Sequence, residues 1–184
     1  MRNLNPAWIP MTVVMCWSCG QHPEDTNASG RQGHRANVVA VQAPTESLAD
    51  GIDFRRARLP EFVTAVKGLS GREAFGRWSE GPEVRIDLNM PIPRDSRISM
   101  KIAAFPPQVG KPARVTIGRE SQEFKVTTTR LDAMDEVVLD FGDVGAAKSI
   151  LISIPDPKSP KDLGLGTDTR PLAFAFGELR VIQR

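Results

Sequence analysis

Two short polar stretches hold the residues of this sequence that could do chemistry. The first, GREAFGRWSEG at 71–81, sets Glu73, Arg77 and Trp78 among glycines. The second, GLGTDTRP at 164–171, sets Asp168 and Arg170 just before a proline. An aromatic face beside charged and amide groups suits a sugar ring: its apolar C–H face stacks on the indole, and polar neighbours read its hydroxyls. Asp168 and Arg170 stand two residues apart, which puts both side chains on one side of an extended chain. Arg170 can take a carboxylate with two parallel hydrogen bonds, and Glu73 and Asp168 are the candidates. These residues also fit a purely structural role. Trp78 then plugs one end of the fold, and the charged groups only tie two loops together.

Catalytic chemistry is narrower. The only histidines are His22 and His34, and the only cysteines are Cys16 and Cys19. A Ser-His-Asp or Cys-His centre is therefore excluded from the rest of the chain. A two-carboxylate glycosidase built on Glu73 with Asp168 or Glu80 stays open, although nothing singles it out. The Cys16–Cys19 pair has CxxC spacing. A zinc site would need two more ligands, and a thioredoxin-type pair would need a βαβ setting. Neither is visible, so no metal and no cofactor is expected. Net charge is +2, and phosphate cradles and basic aromatic repeats are absent, which argues against nucleic acid.

The elements that must position these residues are strands. From Glu83 onward the pattern has period two. Val84, Ile86 and Leu88 alternate with Arg85, Asp87 and Asn89; Ile98, Met100, Ile102 and Ala104 form the next set. Further strands read at Val115–Ile117, Phe124–Val126, Glu136–Phe141 and Ser149–Ile154, and Leu172–Phe176 with Leu179–Ile182 closes the chain as a strand or a pair. Leu59–Lys67 is read as a β segment, and Glu73–Trp78 as a loop. The 15 Gly and 15 Pro suit many short strands and turns. No helical pattern of three turns follows residue 50, so the crossover helices of a parallel sheet have no place. The fold class expected is all-β, an antiparallel sandwich of jelly-roll-like form, with the two polar stretches near one end. The chain has no Tyr, so its core must rely on aliphatic side chains and Phe.

The beginning of the chain reads as an address. Residues 1–19 carry Arg2 and a short apolar run from Ala7 to Trp17, too short to span a membrane. They resemble a secretory signal, and more narrowly that of a bacterial lipoprotein, with Cys19 between Ser18 and Gly20 as the residue to be lipidated. Residues 20–50 read as a flexible tether, since 20–37 contain no Val, Ile, Leu, Met, Phe or Trp. Residues 51–184 are the folded body. The expected location is exported and periplasmic, with membrane contact only through an N-terminal lipid anchor.

The two polar stretches also carry a family resemblance. GLSGREAFGRWS at 68–79 and IPDPKSPKDLGLGTDTRPLAFAF at 154–176 resemble the C-terminal periplasmic domain associated with membrane phosphoglycerol transferases of osmoregulated periplasmic glucan synthesis and with related bacterial glycosyltransferases. The first block matches at Gly68, Ser70, Glu73, Gly76, Arg77, Trp78 and Ser79, and departs at Phe75, where Trp is expected. The second matches at Ser159, Pro160, Leu163, Gly164, Asp168, Arg170 and Leu172, and departs at Ala173, where Gly is usual. In such transferases the catalytic domain and the membrane helices lie elsewhere. The resemblance therefore implies an accessory domain, not an enzyme, that binds or organises glycan. Alternatives are a structural or protein-interaction domain with envelope partners, and a glycan-active enzyme.

Overall fold

The structure is a computed structural model that describes residues 46–184. The expected signal, Cys19 and most of the expected tether lie outside the described residues. The body is built from strands because its sequence alternates, and among the described residues the only helical turn is a short 3-10 segment at Pro106–Gln108. Ten strands run β1 Ile52–Asp53, β2 Val63–Lys67, β3 Arg77–Glu80, β4 Glu83–Leu88 and β5 Ser96–Ala104, then β6 Ala113–Ile117, β7 Glu120–Phe124, β8 Asp135–Phe141, β9 Ser149–Ser153 and β10 Leu172–Gln183.

Every pairing is antiparallel, and the strands form two five-stranded sheets. One has the order β1-β10-β5-β8, with β3 also on β10 beside β1; the other has the order β2-β4-β9-β6-β7. The chain changes sheet at every connection except the β6–β7 hairpin, which is the crossing habit of a jelly roll. The sandwich expected from the alternation is thus the fold observed.

The core lies between the sheets. Val84, Ile86, Ile98, Met100, Ile102, Ile150, Ile152, Phe174 and Phe176 are fully buried there. Each such side chain contributes about 1.5–3 kcal/mol relative to exposure. Phe54 meets Phe176 edge-on at 6.1 Å, and Phe124 leans on Phe174 at 5.9 Å.

One strand reading is corrected, and at the end of the chain the choice between a strand and a pair falls to one strand. Trp78 does not sit in a loop: Arg77–Glu80 is a strand, paired with β10 through Trp78–Ala175 and Arg77–Phe176. Its inward position is Ser79 rather than an apolar residue, so it shows no alternation. The two final apolar runs are one strand of twelve residues. A bulge at Gly177 shifts the register between Phe176 and Glu178, yet β10 stays paired to β5 on both sides of it.

Gly177 also shapes the outer face of this sheet. Past it, Glu178, Lys101 and Glu136 stand opposite one another across β10, β5 and β8. Arg180, Ser99 and Val138 form the next row, and Ile182, Arg97 and Asp140 the third. Towards the other end, the outward residues are Ala175 and Ala103, both fully buried although neither belongs to the inter-sheet core.

Candidate functional site

The first polar stretch is a tight hairpin. Glu73 N–H donates to Gly76 O (2.7 Å), and Gly76 N–H donates back to Glu73 O (3.2 Å). Gly76 is the residue that lets this hairpin lie against the sheet. Its φ is +141°, and a Cβ there would stand 1.9 Å from Phe176 O. Ser70, buried, holds the returning strand. Its N–H donates to Trp78 O (2.8 Å), and its Oγ accepts the Trp78 N–H (3.0 Å). One residue on, Ser79 Oγ accepts the Phe174 N–H at 2.9 Å, beside the register shift of the β3–β10 pairing. Both serines therefore satisfy backbone donors that would otherwise be buried unpaired.

The second stretch is held the same way. Ser159 is buried, and its Oγ accepts the Asp162 N–H at 3.0 Å. Lys161 N–H donates to Asp168 O (2.9 Å), and Leu165 N–H to Pro160 O (2.8 Å). The tip leaves Leu163 and Leu165 exposed.

The two stretches meet at Arg170. Its Nε donates to Asp168 Oδ1 (3.1 Å) and Oδ2 (3.0 Å), its NH2 donates to Asp168 Oδ2 (2.6 Å), and its own N–H donates to Asp168 Oδ1 (2.9 Å). NH1 faces Glu80 Oε1 at 3.5 Å and Glu73 Oε1 at 3.9 Å. The Arg170 hydrogen bonds hold the Asp168 carboxyl below the ordinary aspartate range. Asp168, with Glu73 and Glu80 behind it, raises the Arg170 guanidinium. One arginine thus stands among three carboxylates, with about two-fifths of its side chain exposed.

The other two expected site residues lie apart from this knot. Trp78 is half-buried in an aromatic cluster: Phe75 meets it edge-on at 5.4 Å and Phe105 at 6.1 Å. Trp78 stands opposite Ala175, which in turn stands opposite Ala103. Arg77 turns to the other face of β3, where NH1 donates to Ser70 O (3.2 Å) and Nε is buried without a partner. The sequence reading brought Glu73, Asp168 and Arg170 together, and the structure does so as well. It missed Glu80 as a partner of Arg170, and Phe75 and Phe105 as partners of Trp78. The available signal was Glu80 two residues past Trp78, on the same face of an extended chain.

Among the described residues, no cluster of three or more His, Cys, Asp or Glu has the geometry to hold a metal ion. No helix there is long and apolar enough to cross a membrane.

A family model described as a domain of unknown function, DUF7024, matches residues 39–183. Phosphoglycerol transferase I of Citrobacter koseri is 33% identical over 160 residues, covering 81% of this chain and 20% of that protein. The Escherichia fergusonii protein of the same name is 32% identical over 162 residues, with 82% and 20% covered. The chain spans about a fifth of the length of these curated relatives. Among solved structures, a mutant family 29 carbohydrate-binding module aligns with a TM-score of 0.47 at 10% identity, covering 72% of this chain and 89% of that one.

Proposed function

The chain belongs to the DUF7024 family, and we propose that it is an exported, non-catalytic envelope module that binds or organises glycan. The observation that carries this reading is the convergence of the two motif stretches: Asp168 and Arg170 meet Glu73 and Glu80, and Glu80 lies two residues from Trp78 on the same face of β3. Charged groups with free lone pairs, set near a half-exposed aromatic cluster, are the parts a sugar site uses. Relatives named phosphoglycerol transferase I share this region, which fits an accessory role beside glycan chemistry. The non-catalytic part has its own support. Residues 46–184 contain no His and no Cys, which leaves no side chains there for a Ser-His-Asp or Cys-His centre.

The test is retention of the intact chain on immobilised glucan, compared with Trp78→Ala and Arg170→Ala. The expected result is retention by the native chain and loss in both variants. Folded variants retained like the native chain would overturn the reading. A structural or protein-interaction role is favoured by one observation, the edge-on packing of Trp78 against both Phe75 and Phe105. It predicts variants that melt earlier while glucan retention stays absent throughout.

A further inference from the structure

The outer face of the β10-β5-β8 sheet carries two adjoining hollows. One, of about 370 Å³, is floored by the rows that run from Arg97 and Ile182 to Lys101 and Glu178. The other, of about 420 Å³, begins at the same Lys101 and Glu178 and ends against Phe75, Leu131 and Met134. Because they share two residues, they form one trough along the strands. Arg97 and Lys101 are four steps apart on β5, about 14 Å of rise, so the trough spans roughly three pyranose rings before its apolar end.

We propose that this trough is the glycan subsite, and that it takes a neutral oligosaccharide along its length. The inference rests on the glycan-binding reading above and names the surface that serves it. Three observations carry it. The first is a built polar floor. Glu178 is 8% exposed, and its carboxylate is held by Arg180 and by Lys101 at 3.6 Å. Ser99 donates to Glu136 at 2.8 Å, and Arg97 grips Asp140 through two hydrogen bonds. Side chains fixed this way present donors and acceptors to hydroxyl groups without having to be ordered first.

The second is charge balance. Four cationic and three acidic side chains line the two hollows. Each cation on the floor already faces a carboxylate, so a polyanion would find few uncompensated charges, whereas a chain of hydroxyls finds partners of both kinds.

The third is the state of the backbone. β5 is paired on both sides, to β10 and β8, and β10 lies between β5 and β1 with β3. Of the strands that make the floor only β8, the end strand of this sheet, keeps a free edge, so an extended peptide has no edge to add to over β5 or β10. Phe75 closes one end and packs on Trp78. The first motif stretch therefore sets the aromatic wall of the trough.

The experiment is isothermal titration of the intact chain with β-linked glucose oligomers of two to ten units. Affinity should rise with length and level off near four units. Ser99→Tyr, which fills the trough from a position pointing away from the core, should weaken binding at least tenfold. Lys101→Ala should weaken it as well, should the larger side chain disturb folding. Arg114→Ala, on the other sheet in an exposed pair with Glu123, should bind as the native chain does. Native-like binding by folded Ser99→Tyr and Lys101→Ala, with loss in Trp78→Ala, would overturn the trough while leaving the glycan-binding reading standing. No binding by the native chain to any oligomer would overturn both.

Discussion

Gly76→Ala should be among the most damaging single-atom changes in this protein. The added Cβ would lie 1.9 Å from Phe176 O and 2.9 Å from Phe176 C, both rigid backbone atoms of β10. Reaching even 3.0 Å from the oxygen means withdrawing the hairpin by about 1.1 Å, and β3 cannot move that far while keeping its hydrogen bonds to β10. The φ of +141° adds strain for any residue with a side chain. Strain and overpacking together give about 3–5 kcal/mol. For a chain of this size that is a fall in Tm of roughly 8–15 °C. Two further glycines separate the causes. Gly81 has φ +100° but nothing within 4 Å of a Cβ, so Gly81→Ala should show the strain alone, about 1–2 kcal/mol. Gly71 has neither feature, so Gly71→Ala should melt within about 2 °C of native. Calorimetry gives the three melting temperatures, and near-ultraviolet circular dichroism reports on the aromatic cluster around Trp78. Were Gly76→Ala to melt no lower than Gly81→Ala, the close approach of the hairpin to β10 would be wrong.

Other substitutions probe the same region. Ser79→Ala leaves the Phe174 N–H buried without an acceptor and should cost about 1–3 kcal/mol, read as a shift in urea midpoint at unchanged slope. Trp78→Ala removes a half-buried ring with two edge contacts and should cost about 2 kcal/mol, less than the 3–5 of a fully buried aromatic, measured by thermal melting. The folded-state pKa of Asp168 is depressed, so its stabilisation is present above the unfolded-state value and is lost as pH falls through the folded one. Asp168→Asn should therefore lie below the native chain in urea midpoint at neutral pH, and the gap should close as pH falls below about 4. A gap unchanged between neutral pH and pH ~2 would remove the Asp168–Arg170 bond from the account.

What could be seen in the sequence depended on whether one strand or several carried the information. Val84, Ile86 and Leu88 announce β4 because half-burial imposes period two within a single strand. Asp168 and Arg170 were legible for the same reason: their spacing alone puts them on one side of an extended chain. β3 was not legible, since its inward residue is Ser79, chosen to accept a hydrogen bond at the bulge rather than to fill the core. The end of the chain was legible as a strand or a pair, and only the pairing to β5 on both sides of Gly177 decides for one strand.

The same distinction governs the site. Glu80 reaches Arg170 because the β3–β10 register sets Glu80 opposite Leu172, two residues from Arg170, and no local pattern encodes that register. The trough is a stronger case. Arg97, Ser99 and Lys101 look like the solvated side of one strand, and so do Glu136 and Val138. They become a surface only when β5 is laid between β8 and β10, with Lys101 opposite both Glu136 and Glu178. Glu178 then passes from an exposed charge to a nearly buried one gripped by two cations, and a face that reads as ordinary solvent contact gains a fixed polar floor. A one-residue slip of β10 on β5 would turn Glu178 towards the core and Leu179 towards solvent. The burial that holds the sandwich together is therefore also what fixes the alignment of the trough.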